Sequence, residues 1–102
     1  MQPERLPGRR VLHLSGEVGF EQAAAVCEHG LELLAGSAGD WQVELQDLKS
    51  ASSVTVAVLL TWYRAVTAAG AVLQLQSVPD RLRAIIEVSG LSFMFDEREG
   101  FL

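Results

Sequence analysis

The chain is poor in cysteine: Cys27 is alone, so no internal disulfide can form and a reducing compartment is expected. Proline is scarce too, with three residues, which argues against a low-complexity or fibrous chain. No long apolar run is present. The most hydrophobic stretch, Val54 to Tyr63 (VTVAVLLTWY), is about half of the roughly 18 residues needed to span a bilayer. The opening residues, MQPERLPGRR, are polar and broken by Pro3, Pro7 and Gly8, unlike a secretory signal. A cytoplasmic protein is therefore expected. Positive charge is also limited: 8 Lys and Arg stand against 13 Asp and Glu, a formal net charge of -5. Such a field repels nucleic-acid phosphates and anionic lipid surfaces, which disfavours both as direct partners.

Catalytic signatures are missing as well. There is no GxxxxGK[ST] loop and no GxGxxG turn to cradle a phosphate, and no GxSxG nucleophile elbow. Cys27 and His29 stand two apart on a helix, pointing about 200° from each other, so they do not converge on one metal ion. Cys27 falls in an apolar stripe and reads as a packed thiol rather than a nucleophile. His13 reads as a partly packed strand residue. Asp96, Glu97 and Glu99 form a solvated charge run. No enzyme, metal site or cofactor is expected.

What is present is an ordinary globular composition, 49% hydrophobic and 21% charged, in 102 residues. That length suits one domain with one core. Residues 9–15 (RRVLHLS) alternate and predict a strand stopped by Gly16. From Phe20 the spacing changes: Phe20, Ala24, Cys27, Leu31 and Leu34 recur at steps of four and three, predicting an amphipathic helix that ends near Gly36. Gly30 inside it costs up to about 1 kcal/mol relative to alanine. Trp41 to Leu45 predicts a second strand, and Val54 to Ala69 a buried helix with Ser52 or Ser53 as its N-cap. Ala71 to Gln76 predicts a third strand after Gly70, and Arg81 to Val88 a helix ended by Gly90. Phe93 to Phe95 suggests a short edge strand. Residues 1–8 are expected as an N-terminal tail and 96–102 as an acidic C-terminal tail. Strands alternating with helices imply an α/β fold of four to five mostly parallel strands with three to four helices.

The segment VELQDLKSASSVTVAVLL, with HLSGEVGF before it and LQLQSVPDRLRAIIEVSGL after it, resembles the STAS domain family. These are small α/β domains typified by anti-sigma-factor antagonists, and the resemblance runs from about Val11 to Leu91. Within the family it looks closest to the MlaB-like branch, on the LSGE turn at Leu14–Glu17, the AVLLTW helix core and the passage Leu75–Arg81. That branch implies a non-catalytic accessory subunit bound to the MlaF-like ATPase of a phospholipid ABC transporter that maintains outer-membrane lipid asymmetry. It would reach the inner membrane, and indirectly the permease, through that partner. The alternative implied by the family is an anti-sigma-factor antagonist that binds a serine kinase in a partner-switching pathway.

In such antagonists the helix opens with a pattern like D-S-[ST]-G-L, whose second hydroxyl residue is phosphorylated. Aligned without gaps, Ser52 falls on the aspartate, Ser53 on the first hydroxyl, Val54 on the phosphorylated position and Thr55 on the glycine. Valine accepts no phosphate, so the departure counts against a phosphoswitch at that position. Ser53, which matches a hydroxyl that MlaB-like proteins keep, is singled out as a partner contact; Ser53 and Ser52 are the candidate phosphorylation positions. Ser53 also sits at a helix start, where a cap stabilises by about 1 kcal/mol and an acceptor or anion is favoured. Along the same helix Ala57, Thr61, Arg64 and Ala68 form a stripe of small and polar side chains. The expected partner surface thus comprises Ser52, Ser53, Val54, Thr55, Ala57, Thr61 and Arg64.

Overall fold

A computed structural model describes residues 2–6, 9–35, 39–49 and 51–94, with side chains from Arg10 onward in those ranges. Four strands, β1 (Gln2–Leu6), β2 (Arg9–His13), β3 (Trp41–Glu44) and β4 (Leu73–Gln76), form one sheet in the order β1-β2-β3-β4. Three helices, α1 (Ala23–Ala35), α2 (Ser53–Ala68) and α3 (Asp80–Val88), alternate with the later strands. The β2–β3 and β3–β4 pairings are parallel, as the alternation predicts; β1 runs antiparallel to β2. The fold is therefore α/β with a mostly parallel sheet.

Register explains the core. Leu12, Val43 and Leu75 lie side by side across the three parallel strands, and all three are buried. Their neighbours in sequence, Gln42 and Glu44 on β3 and Gln74 and Gln76 on β4, are half-buried. On β3 and β4 this period of two hides one face while the other stays polar; on β2 the opposite face carries the buried Val11. Against the apolar face pack Val56, Leu59, Trp62 and Val66 of α2, Leu34 of α1, and Leu82 and Ile86 of α3. Each fully buried aliphatic side chain contributes roughly 1.5–3 kcal/mol before entropic costs.

Helices α1 and α2 approach closely at Gly30. A Cβ there would stand 2.3 Å from Cε2 and Cζ2 of Trp62. The indole Nε1 of Trp62 donates to the carbonyl of Cys27 at 3.0 Å, one turn earlier on α1. Glycine is thus a packing requirement of the helix pair. At its far end α2 closes with two carbonyl-satisfying bonds, Gly70 N–H to Thr67 O at 2.9 Å and Ala71 N–H to Val66 O at 3.1 Å. The turn needs φ +85° at Gly70, which glycine adopts without strain.

Several expectations are corrected. Residues 2–6, read as part of a tail, form β1 paired with β2. Phe20, assigned to the buried stripe of the first helix, lies before α1 in a turn and is 84% exposed. Ala24 is exposed as well, whereas Cys27, Leu31 and Leu34 pack against the core as expected, joined by Ala23, Val26 and Gly30. Ala23 and Val26 follow the helical period as well as Phe20 and Ala24 do, which is why the first turn was placed on the wrong face. Ser92–Met94 form a 3-10 turn where an edge strand was expected. Met94 is buried beneath it, and Phe93 meets Tyr63 edge-on at 5.4 Å between ring centroids. Gly36, Phe95 and the acidic segment 96–102 lie outside the described residues.

Candidate interaction surface

The end of the sheet where β2, β3 and β4 finish also carries the start of α2. Two connecting segments are tied together there. Gly16 N–H donates to Asp47 O at 3.0 Å, and Lys49 N–H donates to Gly16 O at 2.7 Å. Gly16 adopts φ +74° to make this clamp, and Leu48 beside it is buried. The chain therefore enters α2 from a fixed direction.

Ser52 is the N-cap. Its backbone is extended (φ -149°, ψ 165°), and its Oγ accepts the Thr55 N–H at 3.3 Å. The Thr55 hydroxyl lies 3.3 Å from the same oxygen. Ser52 thus satisfies a first-turn amide that the helix itself cannot. Ser53, the first helical residue, is exposed. No acidic residue occupies the first turn of α2, so the partial positive charge of the helix start is not offset by its own side chains.

The seven expected contact residues divide. Ser53, Ala57, Thr61 and Arg64 are exposed, and with Ala68 they mark the outer face of α2. Thr61 returns its hydroxyl proton to the Ala57 carbonyl at 2.9 Å, which leaves its oxygen lone pairs outward-facing acceptors. Ser52 and Val54 are half-buried. Thr55 is fully buried and turned toward Ser52, so its expected role as a direct contact is corrected to one of bracing the cap. Phe20 and Glu17 stand at the same end and were not foreseen there; both are exposed. Gly19 gave a usable signal, since the Gln22 N–H closes a turn onto its carbonyl at 3.1 Å just before α1.

At the opposite end of α1 and α2 lies a cavity of about 380 Å³, lined among others by Leu34, Val66, Ala69 and Ala71. The described residues that line it are all apolar or glycine, and none of their side chains can orient or activate a polar substrate. Among the described residues, no group of three or more His, Cys, Asp or Glu is arranged to hold a metal ion. No helix among them is long and apolar enough to cross a membrane.

A family model described as "Mlab, STAS domain" matches residues 1–95. A search of curated proteins gave no match. Among solved structures, the chain is similar to the anti-sigma factor antagonist SpoIIAA in its unphosphorylated form, with a TM-score of 0.75 and 17% identity. The match covers 99% of this chain and 97% of that one. The NMR structure of the protein TM1081 is similar as well, with a TM-score of 0.76, 15% identity, and coverage of 92% and 76% respectively. At such identities the structural likeness speaks to the fold.

Proposed function

The chain belongs to the MlaB-type STAS domain family, and from that premise we propose that it is a non-catalytic accessory subunit. It binds the MlaF-like ATPase of a phospholipid ABC transporter at the cytoplasmic face of the inner membrane and stabilises or activates it. The observation that carries this reading is the exposed Ser53 at the uncompensated start of α2, within a chain matched by the MlaB-type model. Small side chains beside it at Ala57, and Arg64 two turns on, leave room for a helix or loop of the ATPase. A subunit of this kind works by differential affinity: it favours the ATPase conformation it binds more tightly, and by no more than that difference. Nucleotide, magnesium and lipid then belong to the partners.

A second reading has an observation in its favour, namely the likeness to an anti-sigma factor antagonist over 99% of this chain. In that case Ser53 would be the acceptor, because its hydroxyl is exposed, whereas Ser52 is engaged with Thr55. A phosphate there would add about -2 charge at a helix start. Val54, at the position that antagonists phosphorylate, favours the transporter reading.

The test is co-purification of the tagged chain, identified by mass spectrometry, with Ser53→Glu alongside. Recovery of an ABC ATPase with its permease, weakened by Ser53→Glu, supports the accessory-subunit reading. Recovery of a GHKL-type serine kinase that labels Ser53 with phosphate replaces it with the second.

A further inference from the structure

Phe20 is 84% exposed, the most exposed aromatic ring among the described residues, and it is held out by its surroundings. Two residues before it, Val18 is buried and pins the segment to the core. Gly16 is clamped to Asp47 and Lys49, and the Gln22 N–H closes onto Gly19 O on the other side. The Val26 N–H then bonds to Gln22 O at 3.0 Å, leading into α1. The ring therefore projects from a segment fixed at both ends, at the same end of the sheet as Ser53. An apolar group presented in this way loses little conformational freedom on binding.

The charges around it have one dominant sign. Glu17 and Glu21 flank Phe20 in sequence, and the tethered segment contributes Asp47; all three are exposed. Lys49 is the single cation among the described residues of these two segments. Toward α3 the sign changes, with Arg81 and Arg83 near the helix start after Asp80, so the acidic character belongs to the α1 side.

Resting on the accessory-subunit reading, we infer that Phe20 is the apolar anchor of the partner interface, and that the partner meets it with an apolar socket rimmed by Lys or Arg side chains. Phe20 fills the socket. Glu17, Glu21 and Asp47 pair with the rim, which sets orientation and the rate of encounter more than final affinity.

The experiment titrates the full chain against the purified MlaF-like ATPase encoded in the same genome, at several salt concentrations. Phe20→Ser is expected to weaken binding roughly tenfold or more, because truncated anchors dominate interface energetics. Its thermal midpoint should match the wild type, since the ring has no core to leave. Phe20→Leu, which keeps apolar surface, should retain most of the affinity. Val88→Ser, which removes an 88% exposed side chain at the end of α3, should change nothing. Wild-type affinity should fall as salt rises, and Glu17→Gln with Glu21→Gln should flatten that dependence. Equal affinity of wild type and Phe20→Ser, or binding indifferent to salt, overturns the inference while leaving the accessory-subunit reading in place. If the wild-type chain does not bind the ATPase at all, both fall together.

Discussion

Replacing Gly30 by alanine sets two physical effects against each other. In an unencumbered helix interior the change stabilises by about 1 kcal/mol, because alanine loses less backbone freedom on folding. Here the added methyl would stand 2.3 Å from two carbons of Trp62 and 2.6 Å from its Nε1, on a side chain that is fully buried. The indole must shift. Overpacking of this kind costs about 1–3 kcal/mol. Moving the ring also endangers its 3.0 Å bond to the Cys27 carbonyl, and a stranded buried N–H costs about 1–3 kcal/mol more. The net expectation is destabilisation of roughly 1–5 kcal/mol, about 3 at the centre. For a domain of this size that lowers the melting temperature by roughly 12–24 °C. Thermal unfolding by far-UV circular dichroism measures it, and tryptophan fluorescence in a urea titration reports the displaced ring. A variant as stable as wild type, or more stable, would refute the close contact between α1 and α2.

Two other substitutions follow from the α2 surface. Ser52→Ala should cost about 1 kcal/mol by removing the cap, whereas Ser53→Ala should stay within about 0.5 kcal/mol because its hydroxyl is exposed; chemical denaturation of the pair separates cap from surface. Arg64→Glu should weaken ATPase binding by several-fold or more with an unchanged melting temperature, and titration calorimetry beside a melting curve reads both.

Much of this fold was legible because its periods are unambiguous where one face is buried. Trp41 to Leu45 and Ala71 to Gln76 alternate cleanly and became β3 and β4, and Val54 to Ala69 became α2 within one residue at each end. The first helix was harder. Phe20 and Ala24 fit a helical stripe as well as Ala23 and Val26 do, and the choice was made by Trp62, which is more than 30 residues away and demands a glycine opposite it. Strand β1 was hidden because Pro3 and Pro7 punctuate a polar segment whose sequence shows no apolar alternation. As an edge strand it can include a proline, since its outer side needs no ladder bond. At the candidate surface, the cap and the exposed α2 stripe could be read from residue types at helical spacing. The burial of Thr55 could not, because it depends on how the cap turns the first helical turn against the core.

On the proposed function, the start of α2 with the segment tethered beside it is the surface on which a transporter ATPase docks. The decisive measurement is hydrogen–deuterium exchange of the full chain with and without the purified MlaF-like ATPase. The amides of residues 53 and 54 make no bond within the helix and exchange readily in the free chain unless a partner covers them. Slowing on complex formation is expected to concentrate in peptides spanning 15–22 and 50–58. Binding that leaves those peptides unchanged, with protection confined to β4 and the far end of α3, would contradict it.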